Sequence, residues 1–278
     1  MIRNLHIISL IVLGLSLAVK ADTFWVGVTP WQKGQSVDDI NRLYLPLLDY
    51  LSKETGNKFK LKAMDSYEET ISEISKGTIQ LAVLSPIPYV KAKKIDPRIE
   101  LLVTELSMSS DQKSKNDSYR SYIMVNKNRK DLNSITSLKG KSIGFVSESS
   151  TSGYVVPMAY LQKNKIVPEK YFSKISILGS HPAVTDALAM GSIDAGVTWD
   201  FNWQQAKLKY GDIYRTLWTS EPIPNLCIVA HETMPQRLRV KIRSLLVKIP
   251  ENLIRGLSAV GYVEREDSFY DGVRLFEK

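Results

Sequence analysis

The sequence predicts an α/β protein of two lobes with a cleft between them. Strand-like and helix-like segments alternate as β-α-β-α-β, and that order occurs twice along the chain. At 278 residues there is room for two lobes and a sizeable core. Apolar residues make up 44% and charged residues 24%, ordinary fractions that exclude wholesale disorder and collagen-like repeats.

The first unit opens with Thr23–Val28 (TFWVGV), a buried strand by composition. Residues 38–53 carry Ile40, Leu43, Leu47, Leu48 and Leu51 at helical spacing, and Gly56 is a plausible stop. Lys58–Ala63 (KFKLKA) alternates like a strand, and 66–76 reads as a helix between a Ser66 cap and Gly77. Residues 79–84 (IQLAVL) form the third strand, closed by the turn Ser85-Pro86 and a helix start. A parallel sheet covered by helices is the expectation. Residues 107–118 are polar and patternless, a loop or hairpin tip.

The second unit has strands at 119–125, 142–146, 175–178 and 193–197, with helices at 154–163 and 182–190. Between 146 and 154 lies a turn rich in hydroxyls, 149–153 (SSTSG). Later strands are read at 212–218 and Cys227–Ala230, and 235–261 reads as mostly helical.

The first twenty-one residues stand apart. Arg3 precedes an almost unbroken apolar run, 7–19, and Val19-Lys20-Ala21 offers small residues for a signal peptidase. The reading is a cleavable signal peptide over 1–21 and a mature chain from Asp22, with an N-terminal membrane anchor as the alternative. The single cysteine, Cys227, forms no intramolecular disulfide and no cysteine-based metal site. Lys plus Arg number 37 against 29 acids, a net charge of +8, but the basic residues are scattered. No dense basic patch with interleaved aromatics is present, so nucleic-acid binding is not expected. A mild positive field suits an anionic solute.

Open α/β sheets bind ligands beyond the carboxyl ends of their strands. Three turns sit at such ends: Ser85-Pro86, 147–153 and 198–202. The middle one carries Ser149, Ser150, Thr151 and Ser152 where a helix begins. Free backbone N–H groups, the positive end of the helix dipole and hydroxyl donors together suit a tetrahedral oxyanion such as phosphate, phosphonate or sulfate. Simple helix capping by one Ser or Thr is the alternative. Neither a GxxxxGK[ST] nor a GxSxG sequence occurs. Ser150, His181 and Asp200 supply the residue types of a hydrolytic triad, but at arbitrary spacing. His181 and His231 have no further histidines nearby to build a metal site.

The segment SESSTSGYVVP (147–157) resembles the ST-S-G-x-x-x-P signature of the phosphate/phosphite/phosphonate-binding periplasmic proteins of ABC transporters. Its surroundings are similar too: LYLPLLDYLSKETG (43–56), IQLAVLSPIPYV (79–90), LKGKSIGFV (138–146), GSHPAVTDALAMGSIDAGVTWD (179–200) and SEPIPN (220–225), in the family's order. The resemblance implies a type II periplasmic-binding fold, with lobe 1 over 22–122 plus 217–278 and lobe 2 over 123–216. It further implies that Ser150, Thr151 and Ser152 grip the oxyanion. Tyr67 would contact the ligand from the first lobe and Ser85 would donate from the same side. His181 would donate to an oxyanion oxygen and gain a raised pKa from that charge.

Departures from the pattern bear on the ligand. Members that bind aminoalkyl phosphonates place an acid just after the I-P pair, where this chain has Asn225. Thr198, Trp199 and Asp200 replace the family's acid-bearing stretch, leaving Asp200 or Glu221 as substitutes for the ammonium-binding acid. Leu84 stands where an aromatic often ends the strand, and Trp199 adds bulk to the pocket. A compact oxyanion or a simple alkylphosphonate is therefore expected. The implied protein is a monomeric periplasmic receptor that passes its anion to an ABC permease with a cytoplasmic ATPase, or presents it to a membrane histidine kinase. It is expected to be no enzyme and to need no cofactor or metal.

Overall fold

The computed structural model describes residues 21–29, 36–109 and 113–276. The expected signal peptide thus lies outside the described residues except for Ala21.

The first sheet starts with three parallel strands, β1 (Thr23–Val28), β2 (Lys58–Ala63) and β3 (Leu81–Leu84), with β1 in the middle. Helices α1 (Val37–Thr55) and α2 (Tyr67–Ser75) join them, and α3 (Pro86–Ile95) follows β3. Ser36 and Asp39 form a reciprocal capping box at the start of α1, and Gly56 ends it at φ +74. Ile40, Tyr44, Leu47, Leu48 and Leu51 are the buried face of α1. They pack with Phe24, Val26 and Val28 of β1, each contributing about 1.5–3 kcal/mol by burial.

Strand β4 (Glu100–Met108) turns back through β5 (Lys115–Asn116), and the chain leaves by β6 (Ser118–Tyr119). It then builds a second sheet from β7 (Ser121–Asn126), β8 (Ser142–Phe145), β9 (Lys174–Ile177), β10 (Ala195–Trp199) and β11 (Tyr214–Thr219). Their spatial order is β11-β7-β10-β8-β9. Helix α4 (Val156–Lys163) and the single turn α5 (Pro168–Tyr171) lie between β8 and β9; α6 (His181–Ala189) precedes β10, and α7 (Asp200–Tyr210) follows it. The return strand β12 (Ile223–Pro224) pairs antiparallel with β6, Ile223 opposite Tyr119. Then β13 (Cys227–Ala230) inserts between β3 and β4, antiparallel to both. After α8 (Gln236–Val247), β14 (Gly261–Val263) pairs with the outer side of β4, and α9 (Asp271–Arg274) packs on α3.

The first sheet is therefore mixed, not parallel: only its β2-β1-β3 half obeys the βαβ rule. Strand β13 comes back from the second sheet and runs the other way, and β14, carried back across the sheet after α8, runs with β13. Residues 235–261 are α-helical only over α8, followed by a short 3₁₀ turn at Glu251–Leu253. Residues 193–194 belong to the turn after α6, so the strand expected at 193–197 runs as Ala195–Trp199.

Candidate functional site

A cavity of about 70 Å³ lies where strand ends of the two sheets face each other. Thr29 follows β1, Val83 and Leu84 end β3, and Trp199 ends β10; all four line it. Four helical N-termini bring further residues there. Ser66 caps α2, so Tyr67 is its first residue; Ser85 precedes α3; Ser150 caps the π turn Thr151–Val155 that runs into α4; Ser180 caps α6, which begins at His181. Such ends carry partial positive charge, but the first turn of α3 has no N–H to spare, because Pro86 and Pro88 have none and the Ile87 N–H is taken by Thr151.

The hydroxyl turn is built by local hydrogen bonds. Ser150 Oγ accepts from the Gly153 N–H at 3.1 Å, and Ser150 O accepts from the Val155 N–H at 3.0 Å. Gly153 O accepts from the Val146 N–H at 3.0 Å, which fastens the turn to the end of β8. A Cβ at Gly153 would sit 2.4 Å from Val146 Cγ2, so only glycine allows this approach. Ser121 Oγ donates to Ser152 O at 2.6 Å. Ser150, Thr151 and Ser152 are all buried and all line the cavity.

Six of the seven residues singled out from sequence meet here: Tyr67, Ser85, Ser150, Thr151, Ser152 and His181. The Tyr67 hydroxyl lies near the Ser150 side chain, and burial raises its pKa. Thr151 Oγ1 accepts from the Ile87 N–H at 2.9 Å, a bond that ties the second sheet's turn to the first turn of α3. Ser85 caps nothing with its side chain, and its buried Oγ has no hydrogen-bond partner among the described residues. A buried hydroxyl left unpaired is costly, and in a cavity wall it points to a ligand.

His181 is buried, with Nδ1 3.4 Å from Thr198 Oγ1. Thr198 Oγ1 also accepts from Asn202 Nδ2 at 2.8 Å, so its own proton is available to Nδ1. The ring proton then resides on Nε2, which makes His181 a neutral donor. Burial lowers its pKa to about 3. Among the described residues no carboxylate lies beside it to hold the charged form.

The seventh residue, Asp200, is not brought to this cavity. Its carboxylate accepts from the Arg120 N–H and from the Tyr122 hydroxyl, each at 2.5 Å. It lines a neighbouring cavity of about 210 Å³ instead. Glu221 is exposed and faces a third cavity beside Trp218. Asn225 is buried but occupied: its amide donates to Ser107 Oγ at 2.8 Å. Among the described residues, no Asp, Glu, Lys or Arg lines the cavity at the four helix ends.

Several lining residues carried no signal in the sequence. Thr29, Tyr44, Tyr119 and Ser258 come from separate segments that only the tertiary fold assembles. The Tyr119 hydroxyl lies near the Ser152 and Thr151 side chains, and burial holds it well above the usual tyrosine range. Val83, Leu84, Pro88, Leu226 and Leu257 supply an apolar wall. The arrangement offers neutral donors at one end and hydrocarbon at the other, which suits a compact anion with a small apolar substituent.

Residues 26–270 match the family model described as ABC transporter, phosphonate, periplasmic substrate-binding protein. The Phosphate-import protein PhnD of Mycolicibacterium smegmatis is 23% identical over 266 residues, which span 86% of this chain and 81% of that protein. A binding protein component of an ABC phosphonate transporter from Pseudomonas aeruginosa has a similar structure. Its TM-score is 0.80 at 19% identity, over 93% of this chain and 86% of that one. PhnD1 from Prochlorococcus marinus, solved in complex with methylphosphonate, gives 0.79 at 21% identity, over 91% and 96%. The two-sheet architecture is thus the type II periplasmic-binding fold of these proteins. The chain belongs to the phosphonate family of periplasmic substrate-binding proteins of ABC transporters.

Proposed function

We propose that this chain captures a small phosphorus oxyanion, namely phosphate, phosphite or a short alkylphosphonate, and delivers it to the permease of an ABC importer. The observation that carries the reading is the cavity itself. Four helical N-termini and the Ser85 hydroxyl converge on it, with no charged side chain in its wall among the described residues. Ser150, Thr151, Ser152 and the backbone of their turn hold the oxygens from one lobe, and Ser85 and Tyr67 from the other. His181 adds a neutral N–H. Charge on the anion is balanced by dipoles and hydrogen bonds, which lose nothing to a competing counterion.

Lobe 1 is read as 22–120 and 220–278 and lobe 2 as 121–219, a few residues from the boundaries expected at 122/123 and 216/217, because β7 and β11 lie whole in the second sheet. The β6–β12 ladder lies between the two sheets, and we take 117–120 and 220–225 as the hinge segments. Ligand-driven closure requires that the closed state bind more tightly than the open one. A ligand bridging Ser85 and the hydroxyl turn touches both lobes and so meets that requirement. The partner is read as a permease, not a sensor kinase, because the family and the relatives above are transport proteins. Hydrolysis is not part of the reading. Ser150 Oγ, His181 and Asp200 are each engaged with other groups and form no relay. The mature protein is read as a periplasmic monomer beginning at Asp22.

Thermal unfolding of the mature chain against phosphate, phosphite, methylphosphonate, aminoethylphosphonate and sulfate tests this. A ligand at 100 times its Kd adds about 2.7 kcal/mol, a rise of several degrees. A shift with a phosphorus oxyanion, abolished in the double variant Thr151→Ala, Ser152→Ala, is the expected result. A flat panel refutes the capture reading.

A further inference from the structure

We infer that Glu105 is a positioning residue for the bound anion: it sets whether the Ser258 hydroxyl turns a proton or a lone pair toward the cavity. This rests on the capture reading and extends it to the ionisation state in which capture occurs.

Glu105 lies in β4, between β13 and β14, and is 3% exposed. Ser258 Oγ is 3.0 Å from Glu105 Oε2. Ser258 also lines the cavity, as does Tyr44. The carboxyl is therefore one hydroxyl removed from the anion site. The groups facing it are Tyr44 from α1, Tyr262 from β14 and Cys227 from β13, and burial pushes all three upward, so they remain neutral. From α8, Arg239 and Arg243 are both held by Glu100 at the far end of β4. Among the described residues no cation compensates Glu105, and burial pushes it up to about 7.

A hydroxyl between a carboxyl and an anion has one proton to give. With Glu105 ionised, the carboxylate only accepts, so Ser258 donates to it and turns lone pairs toward the anion. With Glu105 protonated, the carboxyl donates to Ser258 Oγ, and the Ser258 proton is free for a phosphoryl oxygen. The negative charge behind the cavity is removed at the same time. Both effects have one sign: the anion is held with Glu105 protonated and released as it ionises. A glutamine at this position donates through its amide and reproduces the protonated state at every pH.

The test is calorimetric titration with methylphosphonate and with phosphate, from about pH 6 to about pH 8.5, on the wild type, Glu105→Gln and Ser258→Ala. The anions' own ionisation affects all three proteins alike. Wild-type affinity should fall with rising pH more steeply than that of Glu105→Gln, by up to about tenfold per unit above the Glu105 midpoint. Ser258→Ala should bind more weakly at low pH and lose the hydroxyl's share of the steep limb, so its profile lies between those of wild type and Glu105→Gln. Parallel profiles for wild type and Glu105→Gln overturn the inference. Should Glu105→Gln not fold, a Ser258→Ala variant that keeps the steep wild-type limb overturns it instead. Absence of binding by the wild type at every pH overturns the capture reading, and the role of Glu105 with it.

Discussion

Replacing Ser85 by alanine should make the free protein more stable and a poorer binder. The Ser85 Oγ is buried without a hydrogen-bond partner, and such a group costs about 1–3 kcal/mol relative to one that is paired. Alanine removes the hydroxyl and leaves its Cβ and backbone in place. A gain near 1 kcal/mol raises the midpoint by about 2–4 °C in a chain of this size. In the bound state the same hydroxyl donates to an oxyanion, a charge-assisted bond of about 1.5–3 kcal/mol. Its loss weakens Kd by about 10- to 100-fold. Differential scanning calorimetry without ligand and titration with methylphosphonate read the two effects separately. A midpoint that falls by several degrees, with Kd unchanged, would show that Ser85 supports the start of α3 and does not touch ligand. Thr151→Ala is the contrasting case. It strips the Ile87 N–H of its acceptor, so free stability and affinity should fall together.

Other expectations are independent of Ser85. Burial lowers His181 to about 3 from an ordinary 6.5, so below pH 6.5 the unfolded chain takes up a proton that the native chain does not. Stability should therefore fall with pH, by about 2 kcal/mol between pH 6.5 and pH 5. Urea midpoints that decline equally in His181→Asn would count against this assignment. Gly153→Ala forces a Cβ to 2.4 Å from Val146 Cγ2 and 2.7 Å from Ser150 Oγ. It should cost about 1–3 kcal/mol and displace the hydroxyl turn; a variant with the native midpoint and affinity would show that the turn tolerates the extra carbon. Aminoethylphosphonate should bind at least about tenfold more weakly than methylphosphonate, because its ammonium finds no carboxylate in the cavity wall among the described residues. Equal affinities by calorimetry would mean that the tail reaches Asp200 in the neighbouring cavity.

Legibility followed the physics of each element. Helix α1 has a polar and an apolar side, a capping box and a glycine stop, so spacing alone located it. Strand β4 went unread because it lies between β13 and β14 with both faces covered, and its buried stretch mixes Leu101–Val103 with Thr104 and Glu105. No alternation survives in such a strand. Helix α7 was unread for the opposite reason: of its residues only Asn202 and Ala206 are fully buried, and no apolar stripe marks it. In the site, the run Ser149 to Ser152 was visible because one segment supplies the hydroxyls. Tyr44, Tyr119 and Ser258 are spread over more than two hundred residues, and only the returning strands bring them together. Asp200 was selected for its charge and its place after a strand. The fold uses that charge on Arg120 and Tyr122 instead.

The position of β13 governs the order in which the chain can be completed. Strands β7 to β11 form a contiguous stretch, 121–219, and every partner in their sheet lies within it. In contrast, β3 and β4 have no ladder to each other; Cys227–Ala230 joins them from more than one hundred residues downstream. As the chain emerges from a ribosome or a membrane pore, the inserted sheet closes first, and two open edges wait on the enclosing one. A chain cut after residue 220 would keep a complete second sheet and a split first one. Those edges make the half-made protein a substrate for holding factors until its last quarter arrives.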